Sequence, residues 1–276
     1  MTAAALAYPG TSSQDVAFDA ADFQRVRALI RTKAGIDLHP GKQNMVYGRL
    51  SRRLRETRHG SFRDYLDALE RTGGDEWQEF INCLTTNLTS FFREPHHFEL
   101  LAAELKKTPA TARRIWSCAA STGEEPYSIA MTAAESGASV KIDASDIDTR
   151  VLAQARAGVY AMENVSSLGA ERLRCFFQRG TGAHEGKARV KAELRERVSF
   201  RAFNLLASGW DARDYDAVFC RNVMIYFDRP TQRQVLERLH GALRPGGLLY
   251  AGHSENFSEH RDLFVLTGKT VYRRAG

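Results

Sequence analysis

Apolar residues recur at helical spacing through the first third of the chain. Phe23 and Ile30 lie on one face of a stretch that follows Asp19 and Asp22, and either aspartate can cap a helix. The same three-to-four-residue spacing continues, with turn residues between the stretches, over residues 42–60, 61–74 and 75–84. The pattern predicts four short helices and therefore an all-helical domain.

Further along, short apolar runs alternate with amphipathic stretches, which is typical of an α/β domain. Helices are predicted at 126–136, at 149–157 and after Pro230, and strands at 115–118, 140–145, 198–203, 215–220 and 248–253. Two alternating runs around 267–270 predict a terminal β-hairpin. A mostly parallel sheet finished by such a hairpin is the Rossmann-like pattern of domains that bind S-adenosylmethionine.

The connection between the second and third strands is longer than such domains need. It contains Gly180, Gly182 and Gly186 and predicts a small inserted β-subdomain over about residues 165–197. The expected organisation is an N-terminal helical domain 1–85, whose tail 1–14 is expected to lack fixed structure, a linker 86–98, and an α/β domain 99–276 with the insertion.

The turn after the first strand, SCAASTGEEPYSIAM, has one glycine, Gly123, followed by Glu124 and Glu125. A phosphate-binding turn would have more glycines and no acidic neighbours. Asp146 follows about 20 residues later, the offset at which a carboxylate reaches ribose hydroxyls. These acids favour a nucleoside with a cationic amino-acid part, as in S-adenosylmethionine. The alternative for the two glutamates is that they only balance the dipole of the helix they begin.

Composition limits the other possibilities. The chain is 43% hydrophobic and 26% charged, an ordinary globular balance, and its apolar runs are too short for a membrane span. Its four cysteines are scattered, which favours buried thiols in a reducing cytoplasm and no metal site. The net charge of +6 suggests an acidic partner without identifying one.

Several motifs in order carry a more specific resemblance. TTNLTSFFREPHHF, SCAASTGEEPYSIAM, ASDID, FCRNVMIYFD and GHSENF closely resemble the chemotaxis receptor methyltransferases, the CheR family. The resemblance implies transfer of a methyl group from S-adenosylmethionine to glutamate side chains of chemoreceptors. The products would be glutamate γ-methyl esters and S-adenosylhomocysteine, formed for adaptation in chemotaxis signalling.

The resemblance also implies a set of site residues. Arg93 and Tyr226 would lie closest to the transferred methyl group, as catalytic residues. The linker would contribute to the cofactor site, and the implied cofactor-binding residues are Asn87, Thr89, Arg93, Glu124 or Glu125 (with Glu125 slightly favoured), Asp146, Asn204, Leu205, Asn222 and Val223. A glutamate substrate is already ionised at pH 7, so no strong general base is required.

Two surfaces are candidates for receptor recognition. The basic residues of the second helix, Lys42, Arg49, Arg52 and Arg53, fall on one arc. Such an arc is usually a solvated face, but the implied receptor helices are acidic and a positive stripe would attract them. The glycine-rich loop, Gly180, Gly182 and Gly186, resembles the loop that in some family members docks a peptide of the receptor C-terminal tail by adding a strand; the alternative is a surface loop.

Other functions stay open at this point. A methyltransferase acting on RNA or a small molecule would have the same fold, and so would a non-catalytic cofactor-binding signalling module. Enzymes that methylate base nitrogens typically carry an Asn/Asp-Pro-Pro-aromatic motif after the fourth strand, where this chain has RNVMIYF. We therefore expect no nucleic-acid partner, and a cytoplasmic monomer without membrane insertion.

Overall fold

The computed structural model describes residues 16–108 and 110–276, in two compact units, Met1–Thr85 and Thr86–Gly276. The expectation for the tail 1–14 lies outside the described residues. The helices are α1 Ala20–Ala34, α2 Gln43–Thr57, α3 Phe62–Thr72, α4 Glu76–Leu84, α5 His96–Lys107, α6 Glu124–Glu135, α7 Thr149–Ala157, α8 Met162–Val165, α9 Gly169–Phe176, α10 Ala192–Arg195 and α11 Arg229–Ala242. The strands are β1 Arg113–Ser117, β2 Val140–Asp146, β3 Val159–Ala161, β4 Phe177–Arg179, β5 Lys187–Val190, β6 Val198–Ala202, β7 Tyr215–Cys220, β8 Leu243–Ala251, β9 Phe264–Gly268 and β10 Val271–Arg274.

The first unit consists of the helices α1–α4, and polar caps define where they begin. The side chain of Asp19 accepts a hydrogen bond from the backbone of Asp22 at the start of α1, and Ser61 caps α3 in the same way. Gly35 ends α1 in the left-handed conformation, which favours glycine. The apolar faces that the sequence predicts are buried and form the core of this unit.

The second unit is built on a seven-stranded sheet with the order β6-β2-β1-β7-β8-β10-β9. The first five strands are parallel, and β10 pairs antiparallel with both β8 and β9. The predicted mostly parallel sheet with a terminal hairpin is therefore confirmed. None of the helices in the described part of the chain has the length and apolar character that crossing a membrane requires.

Helices cover both faces of this sheet because successive strand residues point to opposite sides. Ile115 and Phe219 belong to a buried cluster that includes residues of α5 and α6. Trp116 and Val218, their neighbours in sequence, belong to a second cluster that includes residues of α11. The carboxyl edge of the sheet is left for the loops that follow the strands.

A separate three-stranded antiparallel sheet has the order β3-β5-β4. It begins at Val159, before the predicted start of the insertion near residue 165. The difference has a simple cause: β3 has only three residues, too few to show a period of two in the sequence. The loop between β4 and β5 contains the three glycines singled out in the sequence.

The sequence interpretation did not predict α5, which begins at His96 inside the expected linker 86–98. Phe98, Leu101 and Leu105 are buried along one face of this helix, so the apolar spacing was present. It was obscured by the polar start of the helix and by Pro95, which is tolerated there because a first-turn residue needs no intrahelical N–H bond.

Candidate active site

Three segments of the second unit meet at the carboxyl edge of the sheet. The backbone N–H of Ser121, after β1, donates to Oδ2 of Asp146 at the end of β2 over 2.8 Å. The Ser121 hydroxyl donates to the carbonyl oxygen of Asn87 over 3.0 Å. The irregular segment before α5 is thereby held against the turn that carries Glu124 and Glu125.

Gly123 allows the tight turn after β1. Its φ is +100°, and a Cβ atom there would lie 2.8 Å from the Tyr160 hydroxyl and 2.9 Å from the Cβ of Ala155. The same Tyr160 hydroxyl donates to the carbonyl oxygen of Thr122 over 2.8 Å. Both the conformation and the close packing therefore require glycine at this position.

Glu125 belongs to a buried ion pair. Its Oε2 lies 2.8 Å from Nη1 of Arg221, whose side chain is only 1% exposed, and its Oε1 accepts a hydrogen bond from the Ser117 hydroxyl over 2.8 Å. The other terminal nitrogen of Arg221 donates to the carbonyl oxygen of Arg93 over 2.5 Å and lies 3.4 Å from Oε2 of Glu94. The charge of Glu125 is thus balanced within the protein.

Glu124 has different surroundings although it is the neighbouring residue. It is buried, and its Oε2 accepts a hydrogen bond from the Thr122 hydroxyl over 2.6 Å. Burial raises the pKa of its carboxyl group, and the hydrogen bond from Thr122 opposes that rise. A cation that approaches this buried carboxylate would stabilise its charged form.

Asp146 is a second buried acid at the same edge. Burial raises the pKa of its carboxyl group to about 6, against the hydrogen bonds from the backbone N–H groups of Asp148 and Ser121. Asp148 itself caps α7 through the N–H groups of Arg150 and Val151, and it accepts a bond from Nδ2 of Asn87 over 2.7 Å. The prediction that Asp146 accepts from ribose hydroxyls stays a prediction.

The loops that follow β6 and β7 lie at the same carboxyl edge of the sheet. Oδ1 of Asn204 accepts from the backbone N–H of Leu206 over 2.8 Å, which closes the turn after β6 and buries Leu205. Asn222 follows β7 with a φ of 58°, in the left-handed region that asparagine adopts more readily than most other residues with a side chain. Tyr226, partly buried, ends the short 3₁₀ helix Met224–Tyr226.

The segment before α5 carries the remaining predicted residues. Thr89 is partly buried, and Nη1 of Arg93 donates to the carbonyl oxygen of Leu88 over 2.9 Å. Phe92 and Glu94 have positive φ values, as do Ser121 and Asn222 at the strand ends. Strained residues of this kind often mark functional sites, because the surrounding contacts must hold them in place.

Sequence reasoning did not assign roles to Glu94 or Glu255. Oε1 of Glu94 accepts from Nδ2 of Asn222 over 3.4 Å and from the N–H of His253 over 3.1 Å, so it joins three segments. Glu94 lies within the motif FFREPHHF, and Glu255 lies within the motif GHSENF. These motifs were the available sequence signal for the two residues, because most of the groups that they contact are distant in sequence.

Glu94, His96 and His97 have possible metal-ligand atoms within 4.8 Å of one another. Burial and the charge of Arg221 lower the pKa of His97 to about 3, so its imidazole is neutral. Nη2 of Arg221 lies 3.4 Å from Oε2 of Glu94, and this positive charge disfavours a metal cation there. The absence of a metal stays an expectation.

The basic residues predicted for receptor recognition lie in the first unit and differ in exposure. The side chain of Arg53 is 18% exposed and pairs with Glu76 and Glu56, with Nε 2.8 Å from Oε1 of Glu76. Arg49 donates to the carbonyl oxygen of Thr85 over 2.6 Å. Arg52 is 79% exposed, and Lys42 is also exposed.

The glycine-rich loop joins β4 to β5. The N–H of Gly180 donates to the carbonyl oxygen of Lys187 over 2.8 Å, and the carbonyl of Gly186 accepts from Met162 over 2.9 Å. Gly182 begins a short 3₁₀ helix, and a Cβ at Gly180 would meet the backbone of His184. The loop is therefore an ordered, exposed hairpin beside the edge strand β4.

Comparisons with known proteins agree with this geometry. Residues 87–273 match the family model "CheR methyltransferase, SAM binding domain", and residues 21–85 match "CheR methyltransferase, all-alpha domain". The chain is 52% identical over 274 residues to chemotaxis protein methyltransferase 2 of Pseudomonas aeruginosa, covering 97% of this chain and 98% of that protein. It is 50% identical over 266 residues to the chemotaxis protein methyltransferase of Escherichia coli, covering 94% and 93%.

The fold and the acidic strand edge define a methyltransferase that depends on S-adenosylmethionine. More particularly, the chain belongs to the CheR methyltransferase family, as the two family models and these relatives show. The resemblance stated from the motifs is thereby confirmed.

The two neighbouring glutamates should respond differently to the same substitution. Glu124→Gln should weaken binding of S-adenosylhomocysteine about tenfold or more without lowering the melting temperature, because a buried acid with a raised pKa gains nothing from its charge in the free protein. Glu125→Gln should lower the melting temperature, because it leaves Arg221 buried without its nearest counter-charge. Calorimetry and thermal unfolding of the two variants test this; equal effects of both substitutions on binding and stability would contradict it.

The pKa of Asp146 predicts how binding depends on pH. Because its value in the folded protein, about 6, exceeds the ordinary 3.8, the group's contribution to stability is present at low pH and is lost as pH rises through about 6. Ligand hydroxyls need the ionised acceptor, so affinity for S-adenosylhomocysteine should change the other way and fall by up to about tenfold per pH unit below 6.

Calorimetry between about pH 7 and about pH 5 measures this dependence. Asp146→Asn should reduce the affinity and flatten its pH dependence. Glu124→Gln is the control, because it removes another acid with a raised pKa and should leave the slope near pH 6. If the slope persists in Asp146→Asn, the pH dependence of binding arises from another group.

Proposed function

We propose that this protein transfers methyl groups from S-adenosylmethionine to glutamate side chains of chemoreceptors, forming γ-methyl esters and S-adenosylhomocysteine. The observation that carries the proposal is the near-complete match, at about half identity, to proteins named chemotaxis protein methyltransferases. The buried acids at the strand ends also support the proposal, since carboxylates suit a cationic nucleoside and would repel a nucleotide phosphate.

For the cofactor we assign Glu124 rather than Glu125. Glu125 is already paired with Arg221, whereas Glu124 has a raised pKa and a hydroxyl partner. The other proposed cofactor residues are Asn87, Thr89, Arg93, Asp146, Asn204, Leu205, Asn222 and Val223. When bound, S-adenosylmethionine supplies an electrophilic methyl group on a positively charged sulfur.

Arg93 and Tyr226 are proposed to position the substrate carboxylate. The carboxylate is ionised at pH 7 but is a weak and well-solvated nucleophile, so the main requirement is to exclude water and fix its direction. Orientation of reacting groups is worth ~7–11 kcal/mol in favourable cases. The Arg93 backbone is held by Arg221, and its guanidinium can neutralise a carboxylate.

A transfer assay tests both the reaction and the role of Arg93. Chemoreceptor-rich membranes incubated with methyl-labelled S-adenosylmethionine should gain label that mild alkali releases as methanol, since the product is an ester. Arg93→Ala should lower the turnover at least about tenfold and leave the melting temperature close to that of the wild type, because the hydrogen bond that its side chain makes to the Leu88 carbonyl oxygen is a local one.

Arg261→Ala is the matched control, because Arg261 is exposed and lies outside the proposed site. It should transfer methyl groups at the wild-type rate. Label that enters RNA or small molecules and stays bound after alkali treatment would contradict receptor esterification, and unchanged turnover of Arg93→Ala would refute its role.

We also propose two receptor-binding surfaces. Lys42 and Arg52 are the exposed members of the basic arc, Arg52 in a surface pair with Glu56, and acidic receptor helices would be attracted to them. The edge strand β4 and its glycine-rich loop can accept an added strand from a receptor tail peptide. Such a tether would raise the effective concentration of nearby substrate glutamates.

Receptors with and without their C-terminal tail separate these two contributions. Arg52→Glu should lower kcat/KM several-fold on both receptors at low salt and less at high salt, because the effect is electrostatic. Removing the tail should lower kcat/KM further for the wild type and the variant alike. Arg63→Glu, an exposed change on α3, is the control; a rate insensitive to Arg52→Glu, or to the tail, would remove the corresponding surface from the proposal.

A further inference from the structure

Glu255 is a buried acid in the loop after β8, and its carboxylate binds four backbone N–H groups. Its Oε1 accepts from Val223 over 2.9 Å and from Met224 over 2.8 Å. Its Oε2 accepts from Asn222 over 3.0 Å and from Gly252 over 2.5 Å. The residue is 4% exposed, so these bonds replace the hydration that the carboxylate loses.

Three of the four donors are consecutive residues after β7, and the fourth follows β8. Successive N–H groups that point at one oxygen pair form an anion-binding concavity, which here is filled by the protein's own carboxylate. The ends of two neighbouring strands are thus joined by one side chain. Burial raises the pKa of Glu255, and the four N–H groups oppose that rise.

The chain has adapted to this arrangement on both sides. Asn222 has a φ of 58°, a left-handed conformation that asparagine adopts more readily than most other residues with a side chain. A Cβ atom at Gly252 would lie 2.4 Å from Nδ2 of Asn222 and 2.9 Å from Oε2 of Glu255. Glycine at 252 therefore permits the close approach that the carboxylate requires.

The loop held in this way is the one that carries the proposed cofactor residues. Asn222 and Val223 are bound directly, and Met224 begins the 3₁₀ helix that ends at Tyr226. The N–H of Tyr226 donates to the carbonyl oxygen of Val223 over 3.1 Å. A shift of the backbone at 222–224 would therefore move both the cofactor contact and the tyrosine.

We propose that Glu255 is a positioning residue of the methyltransferase site, whose carboxylate sets the backbone of residues 222–224 and through it the placement of Asn222, Val223 and Tyr226. The proposal rests on the cofactor role given to Asn222 and Val223 under the proposed function. It concerns the binding of the nucleoside product and does not depend on which substrate receives the methyl group.

Glu255→Gln is the sharpest test, because it keeps the size of the side chain. Its amide oxygen can accept two of the four bonds, while its NH₂ group would face the other two donors. We expect the Kd for S-adenosylhomocysteine to rise about tenfold or more and kcat to fall, since tyrosine and cofactor contacts shift together. Amide hydrogen exchange at residues 222–224 should become faster in the free protein.

Two controls separate positioning from general stability. Glu259→Gln changes an exposed acid in the same loop and should have no effect on binding. Leu105→Ala removes a buried side chain of α5, so it should lower the melting temperature while the Kd measured below that temperature stays within twofold of the wild type. Glu255→Asp, which keeps the charge with a shorter reach, should fall between wild type and Glu255→Gln and replaces it if the glutamine variant does not fold.

A folded Glu255→Gln that binds S-adenosylhomocysteine within twofold of the wild type, with unchanged amide exchange, would overturn the proposal. Wild-type protein that binds the product but methylates no receptor would instead refute the proposed function and leave the result on Glu255 standing. Wild-type protein that does not bind S-adenosylhomocysteine would refute both.

Discussion

The arrangement of the segments at the carboxyl edge of the sheet depends on the buried ion pair between Arg221 and Glu125. It joins the end of β7 to the start of α6, and Arg221 also binds the backbone of Arg93 in the segment before α5. Such a pair need not add net stability, since both charges lose their hydration. Removing one partner is costly, however, so the three segments are restricted to the one arrangement in which the charges meet.

The buried acids at this edge of the sheet differ in which groups balance their charge. Glu125 has a guanidinium, and Glu255 has four backbone N–H groups. Glu124 accepts from a hydroxyl and Asp146 from backbone N–H groups, and burial raises the pKa of both carboxyl groups, as it does for Glu255. Burial therefore destabilises the charged forms of Glu124 and Asp146, the two acids proposed to face the cofactor. A cationic nucleoside bound beside them would reduce this cost.

Local signals in the sequence predicted much of the fold, and tertiary contacts explain the rest. Asp148 and Gly158 set both ends of α7 where they were expected, because caps act within a few residues. The placement of Asp146, Asn204 and Asn222 at one edge followed from the parallel strands, whereas Asn87 was assigned there only by the family resemblance. The choice between Glu124 and Glu125 did not follow from these strands, because it depends on Arg221, which is 96 residues from its partner.

The basic arc of α2 is a second case in which the sequence did not show which contacts each side chain makes. Helical spacing places Arg52 and Arg53 near one another, but the acids beside them, Glu56 on α2 and Glu76 on α4, decide what each contacts. Arg53 reaches Glu76, which also accepts from the Tyr65 hydroxyl, and so it helps to hold the helices together. Arg52 is 79% exposed, and its Nε lies 3.0 Å from Oε1 of Glu56 on the same helix, a pair at the surface. The helical spacing of the basic residues therefore does not by itself show which of the charges are available to a partner.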